Sequence, residues 1–526
     1  MVSGSVGNSP ISGFTISPAN NNCRFSCECV MIKGLILDIN EVLNNFNYID
    51  GRVMKKVHLI GICGTAMAAL ASMLKERGWA VSGSDAAAYP PMSDLLRERG
   101  IEVQSGYVAE RIQSNIDLVV VGNVAARSNV EAVRAQEIGL CCRSLPETLW
   151  QEFLIDKRFR LVVAGTHGKT TTASMLAWGM QSCGALPSFM IGGELLNFSA
   201  NYNLASGAGF VLEGDEYNSS YFDRHAKFHH YRPTQLIITG IEMDHIDLFS
   251  GIDEIIVEFQ QLIKNMPKNG LLVAAADCEI LRQLLPKAPC RVLTYGRAAD
   301  ADYRLLDYQA LDVGGEFAVV TKDGLQQEMS VSAIGRHNAE NALATAILLQ
   351  DMGFQQNEIV AGLKSFKGVK RRQEIIGRYG DTIYMSDFAH HPTAIRRTLE
   401  GLREHFADYN LVAVFEPRTA TSRRNLFQKE LATVFTAADE VLLAPVYGAD
   451  NLANAERLDT ENLAREITAN SQLPARACSA AEDIYDDLRE RAGRKELVVL
   501  MSTGDFAGLY ARLRSQGEAA ETRKDI

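Results

Sequence analysis

The sequence predicts an α/β protein of three domains, and three observations carry that prediction. Short apolar runs of strand length alternate with Gly-containing turns and longer helical stretches along most of the chain. At 526 residues the chain is long enough for about three cores of ordinary size. A fresh strand–turn–helix series also begins twice, near residue 150 and near residue 370. Apolar residues make up 47% of the sequence, enough to place most of it among folded proteins and not among disordered ones.

In chain order, residues 1–53 read as a tail or an upstream extension, with Met31 or Met54 as possible starts; the first thirty are rich in Ser, Asn and Gly and lack periodicity. Cys23, Cys27 and Cys29 cluster there, but their spacing matches no zinc pattern and no fourth ligand follows. The first domain, 54–150, opens with the strand KKVHLIGI, a Gly turn, a helix over 66–77, the strand AVSGSD, and later DLVVVGN. A polar stretch around 147–158 precedes the second domain, 151–370. That domain starts with RLVVAGT and continues through strands at 209–213, 235–241 and 270–276 to a helix over 338–352. The basic stretch 364–372 reads as a linker. The third domain, 371–526, carries the strands DTIYMSDFA, NLVAVFEPR, EVLLAPVY and ELVVLMSTGD.

Composition excludes some function classes. Lys and Arg total 53 against 64 Asp and Glu, a net charge of −11 with no basic block, which argues against nucleic acid as a partner. No apolar stretch approaches the roughly 18 to 20 residues needed to cross a bilayer. Residues 1–30 also lack the basic start and apolar core of a secretory signal. A cytoplasmic protein without a membrane partner is therefore expected. The ten scattered cysteines fit reducing conditions, and the sequence leaves oligomeric state open.

Chemistry concentrates in LVVAGTHGKTTTASMLAWGM, an apolar strand, a Gly turn and an apolar helix in succession. Such a turn aims backbone N–H groups and a positive helix end at a phosphate; Lys169 adds a mobile cation and the Thr170 hydroxyl is placed to hold Mg²⁺. The loop Gly165-Thr166-His167-Gly168-Lys169-Thr170-Thr171 is shorter than the general phosphate-loop pattern, which has a Gly where Val163 stands. Glu213 to Glu216 (EGDE) and Asp244-His245 follow the ends of later strands, and in open parallel sheets those ends face the ligand crevice. Oxygen donors with one imidazole suit Mg²⁺ or Mn²⁺. Asn338 and Asn341, one helical turn apart, read either as ligand contacts or as a cap or exposed helix face. Gly61 and Gly64 form a turn with Asp85 about 20 residues on, a layout that imitates a dinucleotide fingerprint without its final Gly.

As an ordered set, GTHGKTT, EGDEY, EMDHIDLF, GRHNAENALA and DFAHHPTA resemble the Mur ligase family, ATP-dependent amide-forming enzymes of peptidoglycan assembly, from about Lys55 to the C-terminus. The shortened loop is similar to the Gly-Thr-x-Gly-Lys-Thr form that this family uses. The resemblance implies a Rossmann-like N-terminal domain that holds a UDP group, a central P-loop ATPase-like domain and a Rossmann-like C-terminal domain. It implies ATP and Mg²⁺, with Mn²⁺ as an alternative. Lys169 would act on the transferring phosphoryl group, Thr170 and Glu213 on one metal ion, and His245 on a second. A carbamoylated lysine found in several relatives is not expected here, where Gln260 and Gln261 stand near its place.

The resemblance also assigns Asn338, Asn341 and Asp387 to the nucleotide, and Gly61, Gly64, Asp85, Arg372, His391 and Arg418 to the other substrates. HLIGICGTAMAALA and DFAHHP are similar to the branch that accepts UDP-N-acetylmuramate. LEGDEYNSSYFDRHAKFHHYRP resembles the member that adds a murein tripeptide, L-Ala-γ-D-Glu-meso-diaminopimelate, in cell-wall recycling more than the member that adds free L-alanine. Asn218-Ser219-Ser220 departs from the pattern expected there. A nucleotide-driven switch using the same loop and a nicotinamide-dependent oxidoreductase built on the Gly61 turn are the readings from other classes.

Overall fold

The computed structural model describes residues 54–88, 92–453 and 455–515, together with four short strands between 30 and 53. The chain divides into two compact units, Met1–Lys55 and Lys56–Ile526. In the first unit Val30–Ile32 pairs antiparallel with Leu35–Leu37, and Tyr48–Ile49 with Arg52–Val53. The rest of the stretch expected as a tail, including Cys23, Cys27 and Cys29, lies outside the described residues, as do 516–526 at the end of the expected third domain.

The second unit holds three sheets. The first has five parallel strands, β1 (Lys56–Ile60), β2 (Ala80–Asp85), β3 (Val103–Ser105), β4 (Leu118–Val121) and β5 (Cys142–Ser144), ordered β3-β2-β1-β4-β5. This is the doubly wound order, with the switch point between β1 and β4. Helix α1 (Thr65–Glu76) follows β1 and buries an unbroken run from Met67 to Leu74. Parallel strands covered on both faces need continuous apolar sequence, which is why LVVV at 118–121 is buried throughout.

The central sheet has ten strands, β6 (Phe159–Ala164), β7 (Ser188–Leu195), β8 (Ala200–Asn203), β9 (Gly209–Gly214), β10 (Gln235–Ile238), β11 (Leu271–Ala275), β12 (Arg291–Gly296), β13 (Tyr303–Ala310), β14 (Gly315–Thr321) and β15 (Gln326–Val331). Their order is β8-β7-β9-β6-β10-β11-β12-β13-β14-β15. The phosphate-loop strand β6 lies inside, parallel to β9 on one side and β10 on the other. Beyond β12 the sheet continues as an antiparallel meander, β13-β14-β15. Helices α2 (Lys169–Ser182) and α3 (Arg336–Asp351) pack together against it, sharing an apolar cluster with Leu161, Val163 and Val211.

The third sheet comprises β16 (Glu374–Tyr379), β17 (Thr382–Asp387), β18 (Asn410–Phe415), β19 (Glu440–Leu443), β20 (Ala475–Ala477) and β21 (Glu496–Met501), ordered β16-β17-β21-β18-β19-β20. Only the edge strand β16 pairs antiparallel. Helix α4 (Pro392–His405) follows β17.

Two local departures from the sequence reading have clear causes. The stretch 147–158 is not merely a polar divider: a capping box between Ser144 and Glu147 starts a helix at Leu145–Leu149, and a π turn at Trp150–Leu154 buries Phe153 and Leu154. The meander strands at 303–331 interleave polar residues with short apolar runs such as 317–320 and leave much of their length exposed, a weaker signal than the buried runs of the parallel strands.

Candidate functional site

The phosphate loop leaves the inner strand β6 through two glycines in backbone conformations that other residues rarely adopt. Gly165 has φ +128° and Gly168 φ +79°. A Cβ on Gly168 would lie 2.9 Å from Asn341 Oδ1, so the loop and α3 approach each other backbone to side chain. Thr166 fastens the loop to the segment after β10: its amide donates to the Gly240 carbonyl at 2.9 Å, and its hydroxyl accepts from the Glu242 amide at 2.8 Å. Gly168 caps α2 without any side-chain partner, leaving the first amides of that helix for a ligand.

Lys169 is buried, its Nζ donating to the Gly165 carbonyl at 2.6 Å and pairing with Glu216 at 3.0 and 3.2 Å. Burial opposes its charge, but the carboxylates of Glu216, Asp215 and Glu213 outweigh burial and hold the amine above the ordinary lysine value. Glu216 is buried too; despite burial, Lys169 and His245 keep it ionised below the ordinary value. It binds His245 Nε2 at 3.1 Å, while the Tyr217 hydroxyl meets His245 Nδ1 at 2.7 Å. Glu216 thus joins the expected loop lysine to the expected histidine, and Tyr217 holds the histidine from its other side. The EGDEY motif contains both, but nothing in the linear pattern distinguishes their partners.

Thr170 Oγ1 donates to Glu213 Oε1 at 2.7 Å, and Glu213 Oε2 accepts from the Gly192 amide at 2.8 Å. Burial, reinforced by the Asp215 charge, pushes the Glu213 carboxyl up. A cation beside Thr170 and Glu213 would offset that repulsion, and two hard oxygen donors suit Mg²⁺ or Mn²⁺. Arg372 Nη2 reaches the same Thr170 hydroxyl at 3.2 Å from the segment before β16. Its neighbour Arg371 points elsewhere, donating to the carbonyls of Ser502 and Thr503 at 2.7 and 3.2 Å.

Beside the loop is a cavity of about 480 Å³, of the size that takes a small organic ligand. Thr166, His167, Gly168 and Thr171 form one wall; Asn338 and Asn341 face them, and Arg372 and Asp387 close the side toward the third sheet. The asparagines are neither cap nor exposed face. Both are buried inside α3, Asn341 donating to Asn338 Oδ1 at 3.1 Å and Asn338 to the Ile334 carbonyl at 2.8 Å. Asp387 accepts from the amides of Ala389 and Gln373 at 2.8 and 2.9 Å; burial raises its carboxyl and Arg372 opposes the rise. His337 also lines the cavity, and burial holds its ring down to about 3.

Other expected site residues lie apart from the cavity lining. Asp85 Oδ2 accepts from the Cys63 amide at 2.8 Å, and Gly61, at φ +80°, turns the chain after β1; both lie at the carboxyl ends of β1 and β2, with Gly64 at the start of α1. Arg418 stacks over Tyr447 at 3.8 Å, with Asp505 3.4 Å from its Nη1. His391 caps α4 and meets the loop residue His167 at 3.1 Å.

Comparison with known proteins settles the family. Residues 163–349 match the Mur ligase middle domain, 56–153 the Mur ligase family catalytic domain, and 371–504 the Mur ligase glutamate ligase domain. The chain belongs to the Mur ligase family. As a Mur ligase it is an ATP-dependent enzyme that forms amide bonds. It is 34% identical, over 87% of its length and 97% of the relative's, to the UDP-N-acetylmuramate–L-alanyl-gamma-D-glutamyl-meso-2,6-diaminoheptandioate ligase of Escherichia coli K12. It is 31% identical, over 86% and 97%, to the UDP-N-acetylmuramate–L-alanine ligase of Desulfitobacterium hafniense Y51. Among solved structures, a murein peptide ligase from Psychrobacter arcticus 273-4 aligns with a TM-score of 0.65 at 32% identity, covering 88% of this chain and 98% of that one. No helix among the described residues of the Mur ligase is long and apolar enough to cross a membrane.

Proposed function

We propose that this Mur ligase joins L-alanyl-γ-D-glutamyl-meso-diaminopimelate to UDP-N-acetylmuramate in the cytoplasm, in peptidoglycan recycling. The observation that carries the chemistry is the buried Lys169 ammonium, kept charged by Glu216, on a phosphate loop whose Thr166, His167, Gly168 and Thr171 line the cavity and whose Thr170 meets Arg372. In this reading the lactyl carboxylate of the sugar nucleotide attacks the γ-phosphorus of ATP, ADP leaves, and an acyl phosphate forms. The free amine of the tripeptide's L-alanine then attacks the acyl carbon, and the tetrahedral intermediate expels phosphate to leave an amide.

Each protein group has a defined task. Lys169 and Arg372 stabilise charge on the transferring phosphoryl oxygens, and the free amides at the start of α2 hold the phosphates. Glu216 holds Lys169 in place, and Tyr217 fixes the ring of His245. The family resemblance gives His245 to a second metal ion; with partners on both of its ring nitrogens, we read it as supporting Glu216. Thr170 and Glu213 would hold Mg²⁺, with Mn²⁺ as the alternative; the ion supplies charge neutralisation on the phosphates. Asn338, Asn341 and Asp387 position the nucleotide, and Gly61, Gly64 and Asp85 the UDP group. His391 and Arg418 serve the remaining substrate on the side of the third sheet.

The choice of tripeptide over free L-alanine rests on the 212–233 region, since relatives of both kinds reach 34% identity. The purified protein, given ATP, Mg²⁺ and UDP-N-acetylmuramate, should release phosphate readily with the tripeptide and poorly with L-alanine. Faster release with L-alanine would replace this substrate assignment by that of the alanine-adding enzyme.

A further inference from the structure

A second group of ligating atoms lies near the phosphate loop, apart from the Lys169 assembly. His167 Nε2 and His391 Nδ1 are 3.1 Å apart, and Glu242 Oε2 is 3.6 Å from the first and 3.8 Å from the second. Among the described residues, these three form a histidine and carboxylate group whose ligand atoms all lie within 4.8 Å of one another. A point equidistant from three atoms so spaced lies about 2.0 Å from each, the bond length of Zn²⁺ to imidazole nitrogen and carboxylate oxygen.

The surrounding bonds hold the three groups in that orientation. His391 Nε2 lies 3.1 Å from the Met243 carbonyl, so this nitrogen carries the hydrogen and Nδ1 presents a lone pair. That lone pair accepts only a long contact from the Thr393 amide, 3.3 Å, besides facing His167. Imidazoles that bind metals are typically fixed in this way, donating the other ring N–H to a backbone carbonyl. The Thr393 hydroxyl in turn donates to Glu242 Oε2 at 2.6 Å, setting the carboxylate. The two rings are tilted by 43° at a centroid separation of 4.6 Å, so both nitrogens converge and the faces do not stack. Glu242 is more than a third exposed, which leaves an approach for an ion and an open position on it.

We propose that His167, Glu242 and His391 form a binding site for one divalent d-block cation of the zinc class, distinct from the Thr170–Glu213 position. Two nitrogens and one oxygen favour Zn²⁺, Co²⁺ or Ni²⁺ over Mg²⁺, which prefers an all-oxygen octahedron. The three ligands come from the phosphate loop, the segment after β10 and the N-cap of α4. A cation there ties the third sheet's leading helix to the loop and restrains any opening between them. Since His167 and Glu242 also line the cavity, Zn²⁺ bound at this site would slow turnover there.

The test uses the full-length protein stripped of metal. Titration with Co²⁺ should develop visible d–d absorption saturating at one equivalent, without the near-ultraviolet thiolate-to-cobalt band that binding through cysteines would give, and Zn²⁺ should displace it. Glu242→Gln and His391→Ala should each weaken the affinity by about 10- to 100-fold or more. X-ray absorption of the zinc-loaded wild-type protein, which needs no variant to fold, should show two imidazole scatterers and no sulfur. Sulfur in the shell, no imidazole scattering, or unchanged affinity in a folded Glu242→Gln variant would overturn the proposal.

Discussion

Lys169 keeps its charge inside the protein because three carboxylates surround it, and Glu216 makes the direct contact. Lys169→Ala should lower ligation by about 10²- to 10³-fold or more, as loss of a preorganised charge at a reacting centre does, while circular dichroism stays native. Glu216→Ala removes the direct partner of a buried cation, so urea unfolding should show a loss of about 3 kcal/mol, with Glu216→Gln recovering part of it. Tyr217→Phe deletes one hydrogen bond to His245; about 1 kcal/mol of stability and a fraction of turnover should go with it, measured by the same unfolding and by phosphate release.

His337 supplies a pH dependence with a definite sign. Burial lowers its folded-state value from 6.5 to about 3, so between those limits the unfolded chain binds the extra proton. Its contribution is complete above pH 6.5 and declines as pH falls toward 3, by about 1.4 kcal/mol per unit inside the window. Replacing it with Gln should flatten that slope in denaturant titrations at several pH values. An unchanged slope would mean that another group dominates. At this scale the loop, Glu213, His245 and the asparagine pair were legible because short local patterns specify them. The partnerships of Glu216 with His245, of Tyr217 with His245, and of Glu242 with His167 and His391 were not, since each joins positions whose approach depends on the folded chain.

Among the elements, the strand β6, the loop and helix α2 depend on one another through Gly168. Gly168→Ala forces a left-handed conformation on a residue with a Cβ, costing about 1 to 2 kcal/mol, and drives that Cβ against Asn341 Oδ1. Nucleotide affinity, read by equilibrium titration, should fall along with thermal stability; retention of both would mean that the loop adjusts freely. The strands around this loop were legible as apolar runs because neighbouring elements cover both of their faces. The meander β13 to β15 was not, since polar residues interrupt its short apolar runs and give a weaker signal. The linker at 364–372 is more specific than its basic composition implied. Arg371, at φ +62°, reaches the carbonyls after β21, while Arg372 turns to the phosphate loop.

At the scale of the molecule, each of three sheets brings part of the proposed site. The first carries the Gly61 turn and Asp85, the second the phosphate loop, and the third brings Asp387 and His391 to the loop's far side. Alternation of strands and helices made this organisation readable from the sequence. Which side chains close the cavity depends on how the second and third sheets meet, which no local pattern records. Asp244 shows the point: it is buried between them, accepting from Thr421 at 3.0 Å, with His390 3.7 Å away. In the proposed reaction this assembly activates a carboxylate as its acyl phosphate before the amine attacks. Isotope transfer tests it directly. With UDP-N-acetylmuramate labelled with ¹⁸O in the lactyl carboxylate, the account predicts one labelled oxygen in the phosphate released for each amide formed with the tripeptide. Unlabelled phosphate accompanying the same amide product would contradict it.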